Sequence, residues 1–373
     1  MMTTRFAGSD DLPAVKRLNN RLKAGGRQEQ VTLNFHLPGE ARFNGNGLPV
    51  FRRLMVADDG EEIRAALLLY HNSVFIRGDK RDFCWLDMPV SEGIVDRRYS
   101  LAIIKLLVKA TTYQPFLMSL GVGSLEEDAS RFFIKLGWRH GAVPFFFYPV
   151  NVTRVLLGLN HLRKYPKLRY AALLGAFSGL GAAAGGLLGL RRRFGLGLAG
   201  YEISLEPGFD DWADRVFDDA LGDYGVAVRS DATTLNIMYP PDDRNYIRIR
   251  VRRGSDHRDM GWIVVLSKPM QNNTHFGNLQ VGTLVNGFAR TADVPLLIAA
   301  GIRYLASVGA DIVVGNFSHK AWVRASRRLG MFSGPSNFYF FVSPGGPALL
   351  QNGCGLEEIH LSRGQGDGMV HLR

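Results

Sequence analysis

Cysteine is nearly absent: Cys84 and Cys354 are the two in 373 residues. A single pair builds neither a disulfide framework nor a metal quartet, so a reducing cytosol is the expected setting. Histidines at paired metal-ligand spacing are missing, which argues against a zinc site. No P-loop and no spaced GxGxxG follows a strand, so the 43 glycines do not point to an NTPase or a Rossmann domain. The opening stretch MMTTRFAGSDDLPAVKRL lacks the apolar run of a signal peptide. Acidic residues are outnumbered by basic ones. The net charge of +11 favours anionic partners: a CoA or nucleotide phosphate, an acidic lipid surface, or RNA.

What is present is a globular balance, 46% hydrophobic and 21% charged, over a length that suits two domains with separate cores. Residues 277–344 read most easily. GNLQVGTLVNGFA is an apolar strand, and RTADVPLLIAAGIRYLASVG is a helix with apolar spacing from Leu296 to Val308. ADIVVG is a β-branched strand, NFSHKAWVRASRRLGMF a helix ending at Gly330, and SNFYFFVSP an aromatic strand. Residues 83–150 repeat the order with FCWLDMPV, DRRYSLAIIKLLVKATTY, PFLMSLGVG, SLEEDASRFFIKLGWR and AVPFFFYPV. The Leu136-Gly137-Trp138 and Leu329-Gly330-Met331 turns stand 193 positions apart and end equivalent helices. Such a fixed offset marks a duplicated domain.

Each copy also opens alike. The first has a helix from Asp10 to Lys23, with Asp10 or Asp11 as N-cap, then the strand pair FRRLMVADD and EIRAALLLYHNSVFI turning at Asp59-Gly60. The second has the strand YEISLEP, the helix DDWADRVFDDALGDYG and the strands NYIRIRVRRG and DMGWIVVLSKPM. The expected fold class is α/β with α+β mixed sheets, in two tandem domains. Residues 1–150 form the first, 151–200 a linker, 201–345 the second and 346–373 a tail.

This order resembles the GCN5-related N-acetyltransferase (GNAT) superfamily in tandem. In GNAT domains the run after the fifth strand often reads Asn, Ala, an aromatic residue, then Leu-Gly-Phe. The second copy offers Asn316, Ala325 and Leu329-Gly330-Met331-Phe332, and the first Ala129, Phe133 and Leu136-Gly137-Trp138. The segments KPMQNNTHFGN, GNFSHKAW and GPSNF are similar to tandem GNAT-type proteins encoded with bacterial exopolysaccharide machinery.

The resemblance implies acyl transfer from acetyl-CoA, or another acyl-CoA. The pyrophosphate would sit at the start of the helix after the fourth strand. It places the cofactor at Val90, Arg97, Arg98, Tyr99 and Ser100 of the first copy. Leu101 and Ile103 stand at the family's glycine positions there. In the second copy Arg290 leads, Asp293 and Pro295 replace glycines, and Asp293 is expected to cap its own helix. The family's tyrosine acid is replaced by Phe133 and Ser326. Candidate bases are Asp87, Glu92, His275 and His319. Three have a plain competing role: Asp87 a strand end, Glu92 a solvated loop charge, His319 a hydrogen-bonder at a helix start. His275 is the better placed, in the polar loop SKPMQNNTHFGN between two apolar strands. Substrate contacts are expected at Asn273, Asn286, Asn316 and Trp322, and no metal is expected.

Three functional classes remain, of which the first is preferred because acyl transfer is the usual work of the fold this order resembles. The first is a cytoplasmic acyltransferase acting on an amino sugar or polysaccharide precursor. The second is a Fem-like aminoacyl transferase drawing on aminoacyl-tRNA, and the third a silent tandem GNAT module at the membrane. Arg248, Arg250 and Arg252 share one strand face, either solvated or a phosphate-binding surface. Ala171 to Leu190 is twenty residues without a charge, with basic residues on both sides. It fits a packed helical pair, a hairpin dipping into the inner leaflet, or a span. Peripheral attachment is favoured, with VTRVLLGLNHLRKYPKLRY as an interfacial helix. The tail GLEEIHLSRGQGDGMVHLR is expected to form a small hairpin against the second copy.

Overall fold

The computed structural model describes residues 2–27, 31, 47–159, 186, 197–351 and 355–366. Apart from Gly186, the charge-free stretch 171–190 lies outside the described residues. So do most of the Gly25–Val50 loop, most of the segment proposed as an interfacial helix, and Cys354. Among the described residues no helix is long and apolar enough to cross a membrane.

The first half runs β1 (Thr3–Phe6), α1 (Leu12–Ala24), β2 (Phe51–Asp58), β3 (Ile63–Ile76), β4 (Asp79–Ser91), α2 (Ser100–Tyr113), β5 (Leu117–Val122), α3 (Asp128–Lys135), β6 (Arg139–Ala142), β7 (Phe145–Pro149) and the short α4 (Val152–Gly158). The second runs β8 (Tyr201–Glu206), α5 (Asp211–Leu221), β9 (Val226–Val228), α6 (Ala232–Met238), β10 (Ile247–Arg253), β11 (Asp259–Pro269), β12 (Gln280–Ala289), α7 (Val294–Ser307), β13 (Ile312–Asn316), α8 (Lys320–Arg328), β14 (Phe332–Gly334) and β15 (Phe338–Val342), followed by α9 (Ala348–Gln351) and β16 (Ile359–His360). The repeated order read from the sequence is therefore present twice. β9 and α6 are an addition to the second half that the hydrophobic pattern did not announce.

The halves exchange their closing strands. One sheet is ordered β1-β2-β3-β4-β5-β15-β6 and the other β14-β7-β13-β12-β11-β10-β8. β15 lies antiparallel between β5 and β6, with Phe338 opposite Val122 and Val342 opposite Met118. β7 lies antiparallel between β13 and β14, with Phe145 opposite Asn316. The aromatic strands thus close the opposite half's sheet, where simple tandem domains would keep their own. The cause is local. Only Val143 and Pro144 separate β6 from β7. A two-residue hairpin needs positive φ, which proline's ring and a β-branched side chain both resist. The chain stays extended and crosses over, with Val143 donating its N–H to the Phe338 carbonyl at 2.8 Å and the Pro144 carbonyl accepting from Phe317 at 3.2 Å.

Two equivalent helices end in the same motif. After α3, Trp138 N–H donates to the Phe133 carbonyl and Gly137 N–H to that of Ile134, both at 3.0 Å. After α8, Met331 and Gly330 repeat this with Ser326 and Arg327, also at 3.0 Å. Gly137 and Gly330 have φ of 78° and 85°. That left-handed geometry costs an L-residue about 1–2 kcal/mol, so glycine ends both helices.

One face of the first sheet packs on α2 through Leu67, Leu69, Cys84, Leu86, Leu106 and Leu107. The other face carries Tyr70, Trp85, Met118 and Leu120, and shares a core with Phe338, Phe340, Val226 and Leu361. The two halves are therefore joined by a buried seam, not merely tethered.

Candidate functional site

Parallel pairing of β4 with β5 ends at Trp85 and Met118, and that of β12 with β13 at Leu284 and Gly315. Just beyond, both central strands bulge. The register with β3 slips between Leu68–Asp87 and Ala66–Val90, and that with β11 between Val265–Leu284 and Val264–Asn286. A bulge bends its strand and re-aims side chains. In each half the cleft is the place past this last pair, at the carboxyl end of the parallel strands, where α/β sheets hold ligands.

The second cleft holds the chain's own C-terminal segment. Gly364 donates its N–H to the carbonyl of bulged Val285 at 2.7 Å. His360 Nε2 meets the Gly287 carbonyl at 2.8 Å. Ser362 Oγ donates to Asn286 Oδ1 at 2.9 Å, and Arg363 Nη1 to Asn316 Oδ1 at 3.2 Å. Ser362 also bridges Phe317, while Ile359 and His360 run parallel to β9. Trp322 stacks on His360 with ring centroids 5.1 Å apart and donates its indole N–H to the Tyr224 hydroxyl at 3.2 Å. The cleft thus gathers Asn286, Asn316 and Trp322, and what they contact is this chain. The described part of the tail, residues 355–366, is a short strand followed by a turn that plugs this cleft, and the second arm of the expected hairpin lies outside the described residues.

His319 lies at the same place, its ring 4.7 Å from Tyr224. Its Nδ1 accepts the Ala321 N–H at 3.3 Å and so caps α8. Burial, with Lys320 adding to it, lowers this imidazole to about 4; burial and His319 lower His360 to about 3. Both rings are neutral at physiological pH. His275 is exposed in the β11–β12 connection, where Asn273 Oδ1 accepts the His275 and Phe276 N–H groups at 2.9 and 3.0 Å. That connection meets the start of β12, while Asn286 stands six residues along it, roughly 20 Å away at a strand's rise. The structure does not bring His275 and Asn273 to the second cleft, their own half's.

The first cleft presents Asp87, buried and last in register before the bulge. On neighbouring strands of the same sheet lie Arg52 and Tyr70, the guanidinium 4.7 Å above the phenol ring. Burial pushes the Tyr70 hydroxyl far above its ordinary range, with Arg52 opposing and Asp87 adding to the shift. Across the seam is Tyr239, whose hydroxyl meets the Gly364 carbonyl at 3.3 Å and is likewise raised by burial, with Tyr246 and Tyr70 adding to it. A Cβ on Gly366 would come within 2.7 Å of the Leu120 carbonyl, so the C-terminal segment leaves the second cleft against β5 of the first. The sequence reading missed Tyr70, Arg52, Tyr239 and residues 359–366; a tyrosine interrupting the apolar run LLLYHN was the one available signal.

Glu92 is engaged elsewhere. It is buried in the turn after β4, with Arg64 and Arg21 both at 3.0 Å. Val90 packs under α1. Arg97 is exposed; Arg98 pairs with Asp96 at 2.6 Å; Tyr99 lies 4.1 Å under the Arg64 guanidinium; Ser100 Oγ donates to the Arg97 carbonyl at 2.7 Å. This turn offers an anion the cationic side chain of Arg97 at the start of a fourteen-residue helix. It does not offer a glycine-lined backbone cradle. The Val95 and Asp96 N–H groups donate to the Glu92 carbonyl, and Asp96 Oδ1 accepts that of Arg98. In the second half Asp293 occupies the N-cap position of α7 but its side chain makes no capping bond, contrary to expectation. Burial raises its carboxyl above the usual range, with Arg253, Arg258 and Arg290 opposing.

The arginine stripe on β10 is neither a solvated face nor an open phosphate surface. Arg248 is buried and donates to the Tyr239, Pro240 and Tyr246 carbonyls. Arg250 pairs with Asp259 at 2.6 Å, and Arg252 with Glu202 at 3.1 Å.

No family model and no curated protein matches the chain. Solved structures do. A conserved protein of unknown function from Enterococcus faecalis V583, described as a probable N-acyltransferase, aligns at 8% identity and TM-score 0.52 over 91% of this chain and 72% of its own. The N-myristoyltransferase of Saccharomyces cerevisiae with bound myristoyl-CoA aligns at 9% and 0.52 over 92% and 82%. A GCN5-related N-acetyltransferase from Anabaena variabilis ATCC 29413 aligns at 9% and 0.52 over 91% and 72%. What is shared is the fold. The chain has a mixed α/β architecture of two GNAT-like sheets, and the likeness spans nearly all of it.

Proposed function

We propose that the chain is an acyltransferase that draws its acyl group from acetyl-CoA or another acyl-CoA, and that its first half is the catalytic one. One observation carries the choice of half: residues 359–366 fill the second cleft, hydrogen-bonding the bulged strand a ligand would need. In support of the donor class, the yeast structure sharing this fold has myristoyl-CoA bound.

In this reading Asp87 takes the proton from an attacking amine. Tyr70, kept protonated by burial, stands in for the missing tyrosine acid beside the leaving thiolate. Arg97 and Arg98 supply positive charge for the cofactor's phosphates, though Asp96 already neutralises part of it. The thioester, when bound, supplies the activated acyl group. The acceptor is an amino sugar or polysaccharide precursor, a reading that rests on the resemblance of KPMQNNTHFGN, GNFSHKAW and GPSNF.

The test is calorimetric titration with acetyl-CoA, repeated with Arg97→Glu. Binding by the wild type that the variant loses supports the reading. Silence towards acetyl-CoA and a panel of longer acyl-CoAs would leave the binding-module alternative, which the filled second cleft also favours.

A further inference from the structure

Helix α2 buries Ala102, Leu106, Leu107 and Ala110 against the first sheet, and its opposite face is apolar as well. Leu101, Ile104 and Val108 are 64%, 36% and 57% exposed. Their spacing aligns them in one stripe along the outer side of the helix. The equivalent helix α7 behaves differently: Leu297, Ile298, Ala299, Ala300, Gly301 and Ile302 are all buried, and α8 packs against it. Among the described residues, one of two helices in the same fold position is therefore covered and the other is not.

The surroundings of the stripe select what would cover it. From Arg97 to Tyr113 the chain has Arg97, Arg98, Lys105 and Lys109 and no acidic residue. Lys105 and Lys109 are exposed and, at helical spacing, border the stripe on one side. A second copy docking here face to face would bring like charges together. An acidic lipid surface meets both needs, taking the apolar side chains into the acyl boundary and the lysines at the headgroups.

We propose that the outer face of α2 is a docking surface for an anionic bilayer. The inference is independent of the acyl-transfer reading and of the stretch 171–190. The experiment is co-sedimentation of the full chain with vesicles of phosphatidylcholine alone, and of phosphatidylcholine with phosphatidylglycerol, at low and high salt. The wild type sediments with the anionic vesicles, less so at high salt. Each of Lys105→Glu and Lys109→Glu lowers the partition coefficient roughly ten-fold. Ile104→Asp and Val108→Asp lower it as well, with unfolding midpoints that match the wild type because the side chains are exposed. Partition that is the same in all four variants would overturn the proposal. So would a stable dimer, seen by sedimentation velocity, that Val108→Asp disperses.

Discussion

The N–H of Gly364 meets the carbonyl of Val285 at 2.7 Å, joining the last described turn of the chain to the residue that bulges from β12. A Cβ on Gly364 would stand 2.3 Å from the Tyr239 hydroxyl, 2.9 Å from a Val285 methyl and 3.0 Å from the same carbonyl. Gly364→Val is expected to cost about 1–3 kcal/mol through overpacking, and to lower the unfolding midpoint by several degrees. A midpoint equal to the wild type's would mean that the segment is not seated in that cleft.

Exchanged strands make the halves interdependent. Separately expressed fragments 2–159 and 197–366 would each expose the edge of β5 or β13 and carry a phenylalanine-rich strand without a partner. Unpaired edges of this kind aggregate. Each fragment alone is expected to be insoluble, and co-expression with a tag on one is expected to recover both in a soluble complex. A soluble, monomeric and cooperatively folding first fragment would contradict the exchange.

Asp87 and Tyr70 are separable by substitution. Asp87→Asn is expected to lower acyl-CoA-dependent thiol release, measured with amino-sugar acceptors, by roughly 10²–10⁴-fold, the usual range for a positioned base. Tyr70→Phe keeps the buried ring and removes only the hydroxyl, so a smaller loss at unchanged stability is expected. Activity retained in Asp87→Asn would remove the aspartate from the mechanism.

Acid should loosen the fold before it protonates most carboxylates. His319 and His71 are lowered to about 4 and His360 to about 3, in each case by burial first. Unfolding returns them to near 6.5, so the unfolded chain binds more protons between those values and stability falls as pH drops through that window. Each histidine contributes about 1.4 kcal/mol per pH unit below the unfolded value. Unfolding midpoints measured from pH 7 to 4 should decline steeply, and His360→Gln should decline less. A flat profile would show that these rings are not held neutral.

Much of the architecture could be read in advance because its signals are local. The apolar spacing of α7, the β-branched run of β13 and the two helix-ending glycines each specify a structure within a few residues. The exchange could not be read from periodicity, since a strand's hydrophobic pattern does not say which sheet receives it. Val143-Pro144 carried the missing information, as a pair unfit for a tight turn. The site was legible in part. Asn286, Asn316 and Trp322 do converge, but their partners Ser362, Arg363 and His360 come from a tail whose composition looks like a loop. Asp87 stood out as a charge in an apolar strand, while Arg52 and Tyr70 reach its vicinity only through sheet register.

Met118 and Val342 are strand partners although 224 positions apart. At translation rates of about 5–20 residues per second, the emerging first sheet waits roughly 10 to 45 s for the strand that completes it. Throughout that interval β5 stands at an open border on the ribosome. The phenylalanine-rich β7, made soon after β5, likewise waits for β13 before it has a strand to pair with. Synthesis of this chain is thus a period of prolonged vulnerability, during which a chaperone that shields sheet borders would matter more than it does for proteins whose domains finish one at a time.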